Sequence, residues 1–424
     1  MKTDILIVGC GVSGLYCALK LPRDKSITIV TKDAMDKSDS YLAQGGICVL
    51  RDEGDYDAFF EDTLRAGHYE NNRQSVDIMI RSSRAVIRDL VACGVRFARD
   101  GEQFLYTREG AHSAPRILFH EDETGKEITS HLLEAVRNLP NVTLVEYYTM
   151  VDLLVREGEC CGIVGHDRTG AYSAICADHT VLATGGIGGL FEHSTNFRHL
   201  TGDGIAVALR HGVALEHIDY IQIHPTTLYT KEEGREFLIS ESVRGEGAIL
   251  LNHRGERFVD ELQPRDVVAN AIFAEMRKEN KPYMWLSLER IPTEEILQHF
   301  PHIYRHCLEA GYDITREPIP VVPSQHYFMG GIAVDEHSKT SMARLYAVGE
   351  TACNGVHGRN RLASNSLLES LVFAGRAACH IAQDGRHLAP VGEIAVDTAQ
   401  YENYAQRYKE AVLAAIEKER QSHE

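Results

Sequence analysis

The sequence predicts an α/β protein: a discontinuous, Rossmann-like dinucleotide-binding domain, an inserted α+β capping domain, and a short C-terminal helix. Three observations predict it. The apolar run Asp4 to Val8 leads at once into Gly9-Cys10-Gly11-Val12-Ser13-Gly14, a helical stretch through Leu21, and a second strand at Ile27 to Thr31. Two later runs, Thr180 to Gly186 and Leu345 to Glu350, are again strands that end on glycine. Between these two, roughly Leu228 to Val322 reads as mixed helix and strand.

Each element has a local reason. In a strand–GxGxxG–helix unit the glycines let backbone approach backbone and the helix N-terminus receives a pyrophosphate. The second strand ends on Thr31-Lys32, where a nicotinamide site would place Asp or Glu for a ribose. Lys32 would instead meet a phosphate or sugar oxygen, which disfavours NAD and leaves FAD open. Strand–glycine ends spread along one chain predict a single sheet assembled from distant segments, with residues 1–227 and 323–384 forming the cofactor domain and 228–322 the cap. Within the cap, Pro264 to Lys278 and Thr293 to Ala310 read as helices. Residues 385–424 read as a linker and one amphipathic helix, whose apolar face carries Tyr401, Tyr404, Tyr408, Val412 and Ile416.

Composition bounds the function. A chain of 424 residues with 44% hydrophobic and 25% charged residues is ordinary for a globular protein of two domains, or of one domain with an insertion. A formal charge of −17 argues against nucleic acid, which demands clustered Lys and Arg. The ten cysteines form no CxxC pair, so neither a metal nor an iron–sulfur site is expected, and several sit in apolar runs as free thiols do in a reducing compartment. The opening MKTDILIVGCG reads as a strand and turn rather than a signal peptide, and no apolar run is long enough to span a bilayer. The expectation is a cytoplasmic protein without a membrane partner.

Further motifs carry a resemblance. They are Tyr41-Leu42-Ala43-Gln44-Gly45-Gly46, Arg108-Glu109-Gly110-Ala111-His112-Ser113, His224-Pro225-Thr226, Glu241 with Arg244-Gly245-Glu246-Gly247, Pro264-Arg265-Asp266, His326-Tyr327 before Met329-Gly330-Gly331, and the run Asn360 to Glu369. In this order they resemble the succinate dehydrogenase/fumarate reductase flavoprotein superfamily and, within it, the aspartate oxidases, over residues 1 to about 382. The resemblance implies FAD held by Gly9, Cys10, Gly11, Val12, Ser13, Gly14, Lys32, Asp39, Ser40, Ala43, Gln44, Gly45, Gly46, Asp203, Glu350, Ser366 and Leu367. The plainer alternative for Asp203 and Ser366 is a helix cap. Superfamily members with covalent flavin carry a His where this chain has Asp39, so the FAD is expected to be non-covalent.

A dicarboxylate needs cations or hydrogen-bond donors at both ends, and guanidinium gives the bidentate match. Arg361, Arg265, His224 and His326 are the candidates, and each matches a substrate residue of the family. Gln222, Thr226, Ser240 and Glu241 would complete the pocket, with pairing to Arg244 the alternative role for Glu241. Glu109 stands where the aspartate oxidases have Glu, and a carboxylate suits a substrate ammonium; its plain reading is a loop charge. The resemblance implies hydride transfer from L-aspartate to flavin N5, giving iminoaspartate for quinolinate and NAD biosynthesis, with oxygen or fumarate as acceptor and quinolinate synthase as metabolic neighbour. Arg265 is the family's proton donor, although a guanidinium stays protonated over the accessible range, so an electrostatic role is the firmer expectation. A soluble fumarate reductase or succinate oxidase, and a non-enzymatic flavin subunit, are the rival readings. Departures from the family are Arg359 in place of a small residue, which would crowd the site or add charge to it, Ala111, Pro115, and a single tail helix where a helical domain is usual.

Overall fold

The structure is a computed structural model and describes residues 1–231, 234–387 and 394–423. Five parallel strands lie side by side in the order Val142–Val145, Ile27–Val30, Lys2–Val8, Tyr172–Leu182 and Leu345–Ala347. The first half of Tyr172–Leu182 also pairs antiparallel with Glu159–His166, which pairs with Thr149–Arg156. Both faces of the parallel part are covered, so Ile5 to Val8 is an unbroken apolar run. Ile5 and Ile7 enter a core shared with the helices Val12–Lys20, Thr124–Arg137 and Asn365–Gln383. Leu6 and Val8 enter the opposite core, shared with the helix Asp203–His211 and the C-terminal helix.

Register brings the three strand–glycine ends together. Val8 lies opposite Leu182, and Leu182 opposite Ala347, so all three turns open at the same sheet edge. Gly9 adopts φ +117°, and a Cβ there would lie 1.9 Å from the Ala183 carbonyl oxygen. Only glycine allows that approach.

The chain enters the cap along Ile221–Leu228 and leaves along Ile319–Phe328, the paired central strands of a five-stranded antiparallel sheet. The expected limit at 322 therefore falls inside a strand. Phe237–Leu238 flanks the first central strand, and Met284–Ser287 then Ile249–Leu251 flank the second. The helix expected from Pro264 runs from Arg265 to Glu279. The stretch expected as one helix from Thr293 is two, Thr293–His299 and Pro301–Glu309, because Pro301 starts a new helix at N1 and Phe300 leaves helical geometry. The tail begins as a 3-10 turn, Thr398–Tyr401, and becomes an α-helix at Tyr404–His423. Its expected face is real: Tyr401, Tyr408, Val412 and Ile416 are buried. No helix among the described residues is long and apolar enough to cross a membrane. All ten cysteines are unpaired, and all but Cys93 and Cys379 are buried.

Candidate active site

One cleft runs from the glycine turns of the parallel sheet to the inner edge of the cap. Its far end is lined by Gly9, Cys10, Gly11, Ser13, Lys32 and Asp203, its middle by Asp39, Ser40, Ala43, Gln44, Gly45, Gly46 and Glu350, and its near end by Ser366, Leu367, Glu109, His224, Ser240, Glu241, Arg265, His326 and Arg361. Four expected residues stand behind the wall. Val12 and Gly14 pack the first helix onto its strand, where a Cβ on Gly14 would meet the Gly9 carbonyl at 2.2 Å. Gln222 accepts from Arg265 Nη1 at 2.8 Å and donates to the Asn360 side chain and the Arg361 carbonyl, each at 2.8 Å. Thr226 donates through Oγ1 to the Ile239 carbonyl, and its backbone meets the His224 ring.

The cleft fits a flavin dinucleotide. Lys32 Nζ is held by Asp203 at 2.9 Å and by Thr201 Oγ1 at 3.0 Å, which fixes a cation beside the glycine turns. Asp203 and Ser366 are not caps: those positions belong to Gly202 and Ser364. Glu350 accepts the Phe328 N–H at 2.9 Å, and Asp39 accepts that of Phe197 at 2.9 Å. The buried atoms Asp39 Oδ2, Gln44 Oε1, Ser38 Oγ and Asn196 Oδ1 have no hydrogen-bond partner among the described residues, as expected of a wall built for a polar ligand. Burial pushes the Asp39 carboxyl up to about 7, and burial with the nearby Asp39 pushes Glu350 up to about 8. A neutral carboxyl donates as well as accepts, which suits ribose hydroxyls.

The near end is built from two bulges. Between Gln222 and Ile223 the facing strand skips a residue, and that residue is His326; between His224 and Thr227 the pairing is broken again around Pro225, which has no N–H to give. The two bulges bring the His224 and His326 rings to 5.1 Å at 67°. His326 Nδ1 meets Thr195 Oγ1 at 2.7 Å, and His224 Nε2 is buried without a hydrogen-bond partner among the described residues. Burial, with Arg265 and Arg361 nearby, holds both rings well below the ordinary histidine range, so both are neutral.

Arg265 opens the cap helix and is held by Glu241, Nε to Oε2 at 2.5 Å. Arg244 approaches the same oxygen at 3.5 Å, so Glu241 pairs with both arginines. Burial works to raise the Glu241 carboxyl, and the two arginines outweigh it and hold it below the ordinary range. Glu109 is buried too, but its oxygens receive only the hydroxyls of Ser364 and, at 3.4 Å, Ser242. Burial and the neighbouring Glu241 raise its pKa. Arg361 donates to Ser366 Oγ at 3.0 Å and lies over the Tyr327 ring, and burial pushes its guanidinium down to about 10. Arg359, expected to crowd the site, turns outward instead: it is exposed, 3.8 Å from Glu70 and 5.9 Å over the Tyr220 ring.

Residues that sequence reasoning missed are Ser364, Ser242, Arg235 and Tyr327, of which Ser364, Arg235 and Tyr327 line the cleft. Small hydroxyl residues carry no pattern of their own. Only the place of Ser364 and Tyr327 inside quoted motifs offered a signal. Among the described residues, Asp4, Asp178 and His387 have ligand atoms within 4.8 Å of one another, outside this cleft, and Lys25 and Arg386 line the same pocket and supply countercharge.

Residues 4–367 match the FAD binding domain family. An L-aspartate oxidase of Clostridium perfringens is 51% identical over 379 residues, 89% of this chain and 86% of the relative; one of Clostridium acetobutylicum is 49% identical over 90% of this chain and 88% of the relative. Among solved structures, FrdA of the E. coli quinol fumarate reductase is 31% identical with a TM-score of 0.86, over 96% of this chain and 74% of that one.

Proposed function

We infer from its kinship how the cleft is used: this chain belongs to the L-aspartate oxidase family of the succinate dehydrogenase/fumarate reductase flavoproteins, and it oxidises L-aspartate to iminoaspartate with FAD as cofactor. FAD, when bound, supplies the acceptor for the hydride that leaves the substrate Cα. Everything else falls to the side chains. Arg361 clamps one substrate carboxylate. Arg265, fixed by Glu241 and Gln222, acts on the other end as a permanent positive charge. His224 and His326, neutral, provide hydrogen bonds to carboxylate oxygens without adding charge. Ser240 and Glu241 shape the wall, and Gln222 and Thr226 fix Arg265 and His224 from behind.

The observation that carries the amino-acid reading is Glu109. It is a buried carboxylate with no ion pair among the described residues, in a site whose neighbouring carboxylate Glu241 is already paired. A substrate ammonium supplies the missing charge, and succinate has none. A substrate gripped at both ends and at the amine would have its Cα–H bond held in place.

The reading extends outward as a proposal. Oxygen or fumarate would be the final electron acceptor, iminoaspartate would feed quinolinate and NAD biosynthesis through a quinolinate synthase, and the setting would be the cytoplasm. Anaerobic titration of the holoenzyme tests the core of it. L-aspartate should bleach the flavin band and succinate should not; bleaching by succinate alone would replace the reading with a succinate-type enzyme.

A further inference from the structure

Buried arginines in this protein are held by carboxylates, with one exception. Arg116 is gripped by Asp55 at 3.0 Å and Asp62 at 2.7 Å, and Arg265 and Arg244 by Glu241. Arg361 is buried to 4% exposure with no ion pair among the described residues, a single hydroxyl bond to Ser366, and Nε without a partner. Its guanidinium carbon lies instead 4.5 Å above the centre of the Tyr327 ring. That ring is itself fixed. It sits on the cap strand next to His326, and His357 meets it edge-on at 5.4 Å and 89°.

We propose that Tyr327 is the positioning residue for Arg361: its aromatic face seats the guanidinium and leaves the hydrogen-bond donors free for a substrate carboxylate. A carboxylate partner would stabilise the cation equally well but would occupy those donors and oppose an anionic ligand. The ring quadrupole attracts the cation with no acceptor to displace. The inference rests on the reading of Arg361 as the carboxylate clamp, and the experiment separates the two.

Malonate, a dicarboxylate with no pair of adjacent carbons to desaturate, is titrated into the FAD-loaded enzyme, and the shift of the flavin band gives its Kd. Flavin content is measured alongside. Tyr327→Phe, which keeps the ring, should bind malonate within about twofold of the parent, and Tyr327→Leu about tenfold more weakly, the range of a desolvated cation–π contact. In an Arg361→Leu background Tyr327→Leu should cause no further loss, because the two substitutions remove one interaction. Additive losses, or full binding by Tyr327→Leu, would overturn the seat and leave the clamp standing. Unchanged malonate binding by Arg361→Leu alone would overturn both. If Tyr327→Leu loses its flavin, Tyr327→Met, which fills space without a ring, is read by the same outcomes.

Discussion

Glu109 and Glu241 share one buried corner of the site and are held in opposite ways. A Cβ on Gly110 would lie 2.5 Å from Glu241 Oε1, and one on Gly45 would lie 2.6 Å from Glu109 Oε1, so two glycines make room for two carboxylates. Glu241 is ion-paired to Arg265 and Arg244, whereas Glu109 has hydroxyls as its hydrogen-bond partners among the described residues and feels Arg265 and Arg361 only at a distance. Charge in such a corner is costly unless paired. One carboxylate therefore belongs to the fixed framework, and the other waits for a cation from outside.

Arg361→Ala should lose most activity while keeping its FAD. The residue reaches the cleft from the loop before the helix Asn365–Gln383 and makes no ion pair among the described residues, so its charge is available to substrate. Truncating a charged hydrogen-bonding partner typically costs a few kcal/mol, about a hundredfold or more in kcat/KM. Steady-state kinetics with a flavin assay decides, and normal kinetics would remove Arg361 from the site.

The share of stability that Asp39 and Glu350 contribute to the FAD-stripped protein should fall as pH rises from about 5 to about 8. It is read as the difference between the parent and Glu350→Gln, because the buried rings of His112, His224, His326 and His357 are held low and act with the opposite sign. Asp39 and Glu350 lose their protons near 4 in the unfolded chain. Burial holds them up to about 7 and about 8 in the fold, so within that window the folded state binds more protons. Their contribution is whole at low pH and is lost as pH passes through the folded values. Glu350→Gln should flatten the dependence. Unfolding midpoints at pH 5.5 and 8.5 give the slope, and an unchanged slope in the variant would show that Glu350 titrates elsewhere.

Much of this was legible because the signals are local. Gly9 must be glycine where a Cβ would overlap the Ala183 carbonyl, and the sequence shows a glycine there after an apolar run. His224-Pro225-Thr226 and His326-Tyr327 are legible as motifs, and the structure adds the two bulges that bring their rings together. What failed depends on tertiary contact. Whether Gln222 lines the wall or stands behind it is set by how the Arg265 side chain reaches across, and Ser364 enters the site through a left-handed backbone, φ +61°, that no residue type announces. Arg359 reads as a charge added to the site, and only the position of Glu70 and Tyr220 turns it outward.

Acid precipitation should release the flavin into the supernatant. Asp39 lines the cleft where the resemblance leads us to expect the attachment histidine of covalent flavoproteins, and a carboxyl anchored on the Phe197 N–H has no ring nitrogen to bond the flavin. Colour kept in the pellet would contradict this.

Glu109→Gln should separate two reactions on one flavin. The amide keeps the shape and can still meet Ser364 and Ser242, so folding and FAD binding should survive. What it removes is a negative charge, in a place where burial and Glu241 already strain that charge, Ser364, Arg265 and Arg361 relieve it in part, and an ammonium in direct contact would relieve it further. Aspartate brings an ammonium and fumarate does not. Aspartate oxidation should therefore fall by about tenfold or more in kcat/KM, the scale of one charged hydrogen bond, and fumarate reduction far less. Unfolding or loss of FAD would depress both reactions together, so the ratio is the measurement. Equal losses, or none in either reaction, would end the assignment of Glu109 as the residue that reads the amine.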